Sequence, residues 1–104
     1  VDINSTIEKK DIFALIVNGD SMVDAYIADG DTVLLEPIKS SFELRNGDIV
    51  SAFVPGEGTT LKYYRKKNNK VFLEAANPKY SPIILDPNQL SVQGKLVAVW
   101  RKAF

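Results

Sequence analysis

Ser21 and Lys62 are the residues whose types and settings bear on covalent chemistry. Ser21 sits in the turn Val17-Asn18-Gly19-Asp20-Ser21-Met22, directly after the apolar run Ile12 to Val17. Lys62 lies within the β-rich segment Gly58-Thr59-Thr60-Leu61-Lys62-Tyr63-Tyr64. The chain has neither histidine nor cysteine. A serine nucleophile here therefore has no imidazole base, and a lysine amine is the usual remaining choice.

The local settings admit two readings of each residue. Gly19 lets the backbone turn sharply or approach a ligand closely. The successive amides of Asp20 and Ser21 then end a strand and can point at a developing oxyanion. Alternatively, Asp20 or Ser21 caps the short helical turn that follows. For Lys62, strand alternation puts Thr60, Lys62 and Tyr64 on one face and Leu61, Tyr63 and Arg65 on the other. If the first face is interior, burial disfavours the ammonium and makes the amine a workable base. The Thr60 hydroxyl, two residues away, can then hold that amine in position. If Leu61 and Tyr63 face inward instead, Lys62 is a solvated strand lysine. Alternation alone leaves both open.

The elements that must position these groups read as strand after strand, separated by turn residues. Ile12 to Asn18 reads as a nearly continuous apolar strand buried on both faces. Ser21 to Ala28 is a short mixed segment with one helical turn, and Asp29-Gly30-Asp31 is a turn. Thr32 to Glu36 is a strand ending at Pro37. Lys39 to Asn46 is a polar connection, closed by the tight-turn dipeptide Asn46-Gly47. Asp48 to Val54, Thr59 to Lys66 and Val71 to Ala75 form successive strands, joined by loops at Pro55-Gly56-Glu57-Gly58 and Lys67-Asn68-Asn69-Lys70. Ile83-Ile84-Leu85 is a short apolar segment, and Leu90 to Lys102 is a β-rich tail broken by a bend at Gln93-Gly94. The expected fold is all-β: one domain over residues 1–104 of about seven short strands, coiled or barrel-like because many short strands must hide their edges.

Composition bounds the function. A chain of 104 residues with 45% apolar and 25% charged residues is ordinary for a single globular domain. Thirteen basic residues balance thirteen acidic ones, which argues against a domain that itself grips nucleic acid. Arg65, Lys66, Lys67 and Lys70 read as a solvated hairpin tip, with Tyr63 and Tyr64 packing beside it. Without cysteine there is no disulfide framework, and without histidine structural zinc is disfavoured. Asp24, Asp29 and Asp31 lack the ligand spacing of a calcium loop and read as turn and cap residues. No metal or other cofactor is expected. No apolar run approaches the ~20 residues of a membrane span, and no signal peptide is visible, so a cytoplasmic location is expected. Trp100, with Leu96, Val97 and Val99, reads as a core or interface strand. The opening Val1-Asp2-Ile3, without an initiator methionine, reads as the start of a fragment or processed product.

Gly19-Asp20-Ser21-Met22, Asp24 and Asp29-Gly30-Asp31, taken in order, resemble the nucleophile segment of LexA-type self-cleaving repressors. Leu44-Arg45-Asn46-Gly47-Asp48, Thr60-Leu61-Lys62, Asn77-Pro78, Pro82-Ile83-Ile84 and Gln93-Gly94-Lys95-Leu96-Val97-Ala98-Val99 follow in that family's order and spacing. The resemblance runs from about Ile12 to Arg101. It implies a mostly β domain with a Ser-Lys dyad: Ser21 as nucleophile, Lys62 as base, Thr60 orienting the lysine, and the amides of Asp20 and Ser21 as oxyanion donors.

It also implies that the substrate is an Ala-Gly bond on an upstream segment of the same polypeptide, and that a RecA–ssDNA filament stimulates the cut. The domain is expected to form a homodimer through its C-terminal strands, around Leu96 to Trp100. Operator DNA would be read only by an N-terminal domain that this chain lacks. No Ala-Gly dipeptide occurs in the chain, so it reads as the protease and dimerisation half without its substrate. The alternatives are a UmuD-like translesion polymerase subunit, a phage-type repressor of the same family, and a dimerisation module that has lost the chemistry. A signal peptidase shares the Ser-Lys design but would need a membrane anchor.

Overall fold

The computed structural model describes residues 11–102, and the Val1-Asp2-Ile3 opening lies outside them. Seven antiparallel strands form one curled, half-barrel sheet with no α-helix among the described residues. The strands are β1 (Phe13–Ile16), β2 (Thr32–Pro37), β3 (Ile49–Val54), β4 (Gly58–Lys67), β5 (Lys70–Glu74), β6 (Ile83–Leu85) and β7 (Ser91–Trp100), in the spatial order β1-β2-β7-β3-β4-β5-β6. Three 3-10 turns sit in the connections, at Val23–Ala25, Ser41–Glu43 and Pro87–Gln89. The first matches the single helical turn expected after Ser21. The second falls in the polar connection from Lys39 to Asn46, and the third in the stretch between Leu85 and Leu90, to which the sequence assigned no element.

Two expectations need correction. Ile12 to Asn18 is not a strand buried on both faces. Among the described residues β1 pairs with β2 alone, its side chains alternate between half-buried and exposed, and Ile16 is 68% exposed. The apolar run is continuous because the strand packs a core with one set of side chains and lines an open groove with others. Nor does Gln93-Gly94 break the C-terminal tail into two. β7 runs unbroken for ten residues and absorbs the bend as β-bulges. Ser51 pairs with Gly94 and Ala52 with Val92, leaving Gln93 extra, and Leu34 pairs with Ala98 and Leu35 with Leu96, leaving Val97 extra. Bulges of this kind bend and twist a strand while its ladder continues.

β7 is crowded at Gly94, which pairs with Pro37 on one side and Ser51 on the other. A Cβ there would lie 2.8 Å from the Glu36 carbonyl oxygen and 2.8 Å from the Phe13 ring. Only glycine lets the backbones and that ring approach so closely. The buried Ser51 hydroxyl donates to Gln93 Oε1 at 3.2 Å, so the bulged residue also satisfies a core polar group.

Two apolar clusters flank the sheet. One joins Val50, Ala52, Val54, Tyr64, Val71 and Leu73, and the other joins Met22, Ile27, Val33, Leu35 and Ala76 with Leu15, Leu61, Tyr63 and Leu96 packed against them. Tyr64 lies in the first cluster while Leu61 and Tyr63 border the second, so β4 is covered on both faces where Lys62 sits. The basic hairpin at Arg65, Lys66, Lys67 and Lys70 is exposed, as expected. Its tip turns at Asn68 and Asn69, both in the left-handed region with φ of 52° and 61°. Asparagine tolerates that region in a two-residue hairpin turn.

Candidate active site

The site forms where the curl brings β1 and the first half of β4 to face one another. A groove of about 290 Å³ is lined by Leu15, Ile16, Val17 and Asn18 on one side, by Thr59 to Lys62 on the other, and by Ser21, Met22 and Val33 at its base. Among the described residues both walls are free strand edges. There β1 has only β2 as a neighbour, and β5 pairs with β4 only from Tyr63 onward, leaving Gly58 to Lys62 unpaired on that side. Unpaired strand edges hydrogen-bond an added extended chain.

Ser21 reaches this groove on a turn fixed by local sequence. The β1 ladder continues one step past Ile16, with the Val17 amide donating to the Asp31 carbonyl at 2.8 Å and the Gly30 amide to the Val17 carbonyl at 2.8 Å. The chain then reverses through Gly19, whose φ of +101° lies in the region that favours glycine. The Gly19 amide donates to Asp29 Oδ1 at 2.7 Å. Met22, 1% exposed, anchors the far side in the core. The side chains of Asp20 and Ser21 do not cap the following turn: its N-cap is Met22, with no side-chain bond. Among the described residues, the Asp20 and Ser21 amides donate to no acceptor.

Lys62 meets Ser21 across forty-one positions of sequence. Its Nζ lies 3.1 Å from Ser21 Oγ, 2.6 Å from Thr60 Oγ1 and 3.2 Å from the Leu61 carbonyl. Thus Ser21, Lys62 and Thr60 are brought together. An ammonium donates one proton to each of these three acceptors. A neutral amine keeps two N–H groups for Thr60 and Leu61, and its lone pair falls along the third direction, toward the Ser21 hydroxyl. Burial lowers the Lys62 pKa below the ordinary 10.5, and the Glu57 carboxylate opposes that shift. The geometry of a hydroxyl hydrogen-bonded to a desolvated amine suits proton abstraction from the serine.

The chain matches the family model described as Peptidase S24-like over residues 1–97. It belongs to that family. The S24-like fold is a serine peptidase fold, and the groove beside Ser21 lies within the matched span.

Sequence reasoning missed the support behind Ser21 in this S24-like chain. Asn77, 8% exposed, donates from Nδ2 to the Asp20 carbonyl at 2.8 Å. Tyr80 and Lys79 both donate to the Asp20 carboxylate. Tyr80 first, and then the Lys79 charge, hold Asp20 below the usual carboxylate range. The Asp24 amide donates to the Ala76 carbonyl at 2.8 Å. In the sequence Asn77-Pro78 stands out only among the residues that carry the family resemblance, and nothing local points it at Asp20, 57 positions away.

The acidic residues behave as turn fasteners. Asp29 holds Gly19, and the buried Asp31 accepts from the Ala28 amide and from two nitrogens of Arg101, each at 2.7 Å. Arg101 draws the Asp31 carboxyl down to about 2. Among the described residues no group of acidic side chains is placed to hold a metal ion. No helix of the described residues is long and apolar enough to cross a membrane.

Proposed function

We propose that this chain is the self-cleaving peptidase and dimerisation domain of a LexA-type repressor of the DNA-damage response. Ser21 is the nucleophile and Lys62 its general base, with Thr60 orienting the amine. The Asp20 and Ser21 amides stabilise the oxyanion. Neutral Lys62 takes the Ser21 proton as Oγ attacks the scissile carbonyl, and the resulting lysinium returns that proton to the leaving amine. Water then releases the acyl group. The single observation that carries this reading is the 3.1 Å contact between Lys62 Nζ and Ser21 Oγ inside the groove.

The substrate we propose is an Ala-Gly bond upstream on the same polypeptide, laid as an extended strand between the free edges of β1 and β4. Seating that segment removes water from Lys62 and further disfavours its ammonium. A RecA–ssDNA filament would stimulate cleavage by preferring the docked arrangement, since a ligand shifts an equilibrium only through differential affinity.

Self-association through β7 is supported by the end of that strand. β3 pairs with β7 only up to Lys95, so among the described residues Leu96 to Trp100 have a free edge on that side. Val97, Val99 and Trp100 are 46%, 40% and 62% exposed. An unpaired edge carrying exposed apolar side chains fits a second copy of the chain.

The test uses the full-length polypeptide that carries this domain, incubated at alkaline pH and, separately, with RecA–ssDNA filaments. Two fragments should appear in both cases, and Ser21→Ala or Lys62→Ala should abolish them without unfolding the protein. Cleavage that persists in Lys62→Ala refutes the assignment. Cleavage at alkaline pH with no response to the filament keeps the peptidase and refutes the regulatory reading.

A further inference from the structure

The peptide bond between Asp20 and Ser21 is held from behind by a residue outside the dyad. Asn77 is buried, and its Nδ2 donates to the Asp20 carbonyl oxygen at 2.8 Å. That oxygen is also 3.4 Å from the Val23 amide, the closing contact of the turn. The carbonyl and the Ser21 N–H belong to one trans peptide unit, because no cis bond occurs here. In a planar trans unit the two groups point in opposite directions. Fixing the oxygen toward Asn77 therefore fixes the Ser21 N–H on the opposite side, and Ser21 borders the groove. That amide has no acceptor of its own among the described residues.

Asn77 is itself held. Its Oδ1 accepts from the Lys79 amide at 3.0 Å, which sets the side chain so that the NH₂ group faces Asp20. The neighbouring backbone bond from Asp24 to Ala76 ties the same loop to the other end of the turn. Donors placed before reaction, with nothing left to reorganise, are what make an oxyanion site effective.

We propose that Asn77 is a positioning residue that sets the Ser21 amide as an oxyanion donor. This rests on the reading of Ser21 as nucleophile. Removing its donor frees the Asp20–Ser21 peptide to rotate, so the reaction slows at a fixed state of Lys62. Losing an oxyanion donor outright costs about 10²–10³-fold in rate, and the weakened orientation here should cost at least about 10-fold.

The experiment measures labelling of Ser21 by an alkyl fluorophosphonate across pH, followed by intact mass and peptide mapping. Its phosphoryl oxygen takes the place of the oxyanion. Asn77→Asp keeps an acceptor for the Lys79 amide and removes the donor to Asp20, and Asn77→Ala removes both. Thermal melts and circular dichroism show whether each variant is folded. The expected result is at least a 10-fold slower plateau rate in a folded Asn77→Asp protein, with the alkaline midpoint of the profile unchanged. Equal plateau rates in the parent and a folded variant overturn the positioning role alone. A midpoint that moves together with the rate also overturns it, since the damage then reaches Lys62. No labelling of Ser21 in the parent at any pH overturns the nucleophile reading and this proposal with it.

Discussion

Replacing Thr60 with valine separates the two things its hydroxyl does for Lys62. Valine keeps the shape of threonine and removes only the acceptor 2.6 Å from Nζ. The ammonium then loses a charge-assisted hydrogen bond worth about 1.5–3 kcal/mol, and the neutral amine loses one worth about 0.5–1.5 kcal/mol. The charged form suffers more, so Lys62 deprotonates more easily and the alkaline midpoint of Ser21 reactivity moves to lower pH. At the plateau every amine is already neutral, and what remains is the lost orientation. That 0.5–1.5 kcal/mol corresponds to roughly a 2- to 12-fold slower plateau rate. Burial already lowers the Lys62 pKa, and exchanging a hydroxyl for a methyl group of similar size returns no water to the amine. Fluorophosphonate labelling of Ser21 from neutral to strongly alkaline pH reads both quantities in one series. A midpoint that stays in place or moves upward, with the fold intact by thermal melt, refutes the reasoning about Lys62 as base and Thr60 as its acceptor.

Three further outcomes follow from the packing. Gly94→Ala forces a methyl group to within 2.8 Å of the Glu36 carbonyl and of the Phe13 ring, and urea unfolding should show a loss on the order of 1–3 kcal/mol. Asp31 has its pKa lowered from 3.8 to about 2, first by its bonds from Arg101. A depressed carboxylate stabilises the fold above its unfolded pKa, and that contribution is lost as pH falls from about 4 toward 2. Arg101→Met should therefore weaken the protein at neutral pH and flatten the acid limb of a stability-versus-pH series. Trp100→Asp places a charge on the exposed end of β7. On the proposed pairing through β7, sedimentation velocity should report a dimer for the parent and a monomer for the variant at the same concentration, and the same species for both would refute that pairing.

The strand order could not be read from the chain, but most of the strands could. Turn dipeptides such as Asn46-Gly47 and Asn68-Asn69 act over a few residues, so they mark boundaries wherever the chain goes. The β1 reading failed because a continuous apolar run looks the same whether a strand is covered on both faces or lines a groove. The tail was read as broken at Gly94 because glycine signals a bend. In the fold, β2 and β3 flank that point and turn the bend into a bulge within one strand.

The site divides along the same line. Sequence by itself determined the chemistry available: a serine at a glycine turn, a lysine two residues from a threonine, and no imidazole or thiol to compete. Alternation could not decide whether Lys62 was solvated, because β4 is covered on both faces and neither set of side chains points simply outward. Only the tertiary structure set Nζ against Ser21 Oγ, and only it aimed Asn77 at the Asp20 carbonyl. Residue type is a local property, whereas these contacts span 41 and 57 positions. They exist because the fold brings β1 and β4, which are not neighbours in the sheet, to line one groove.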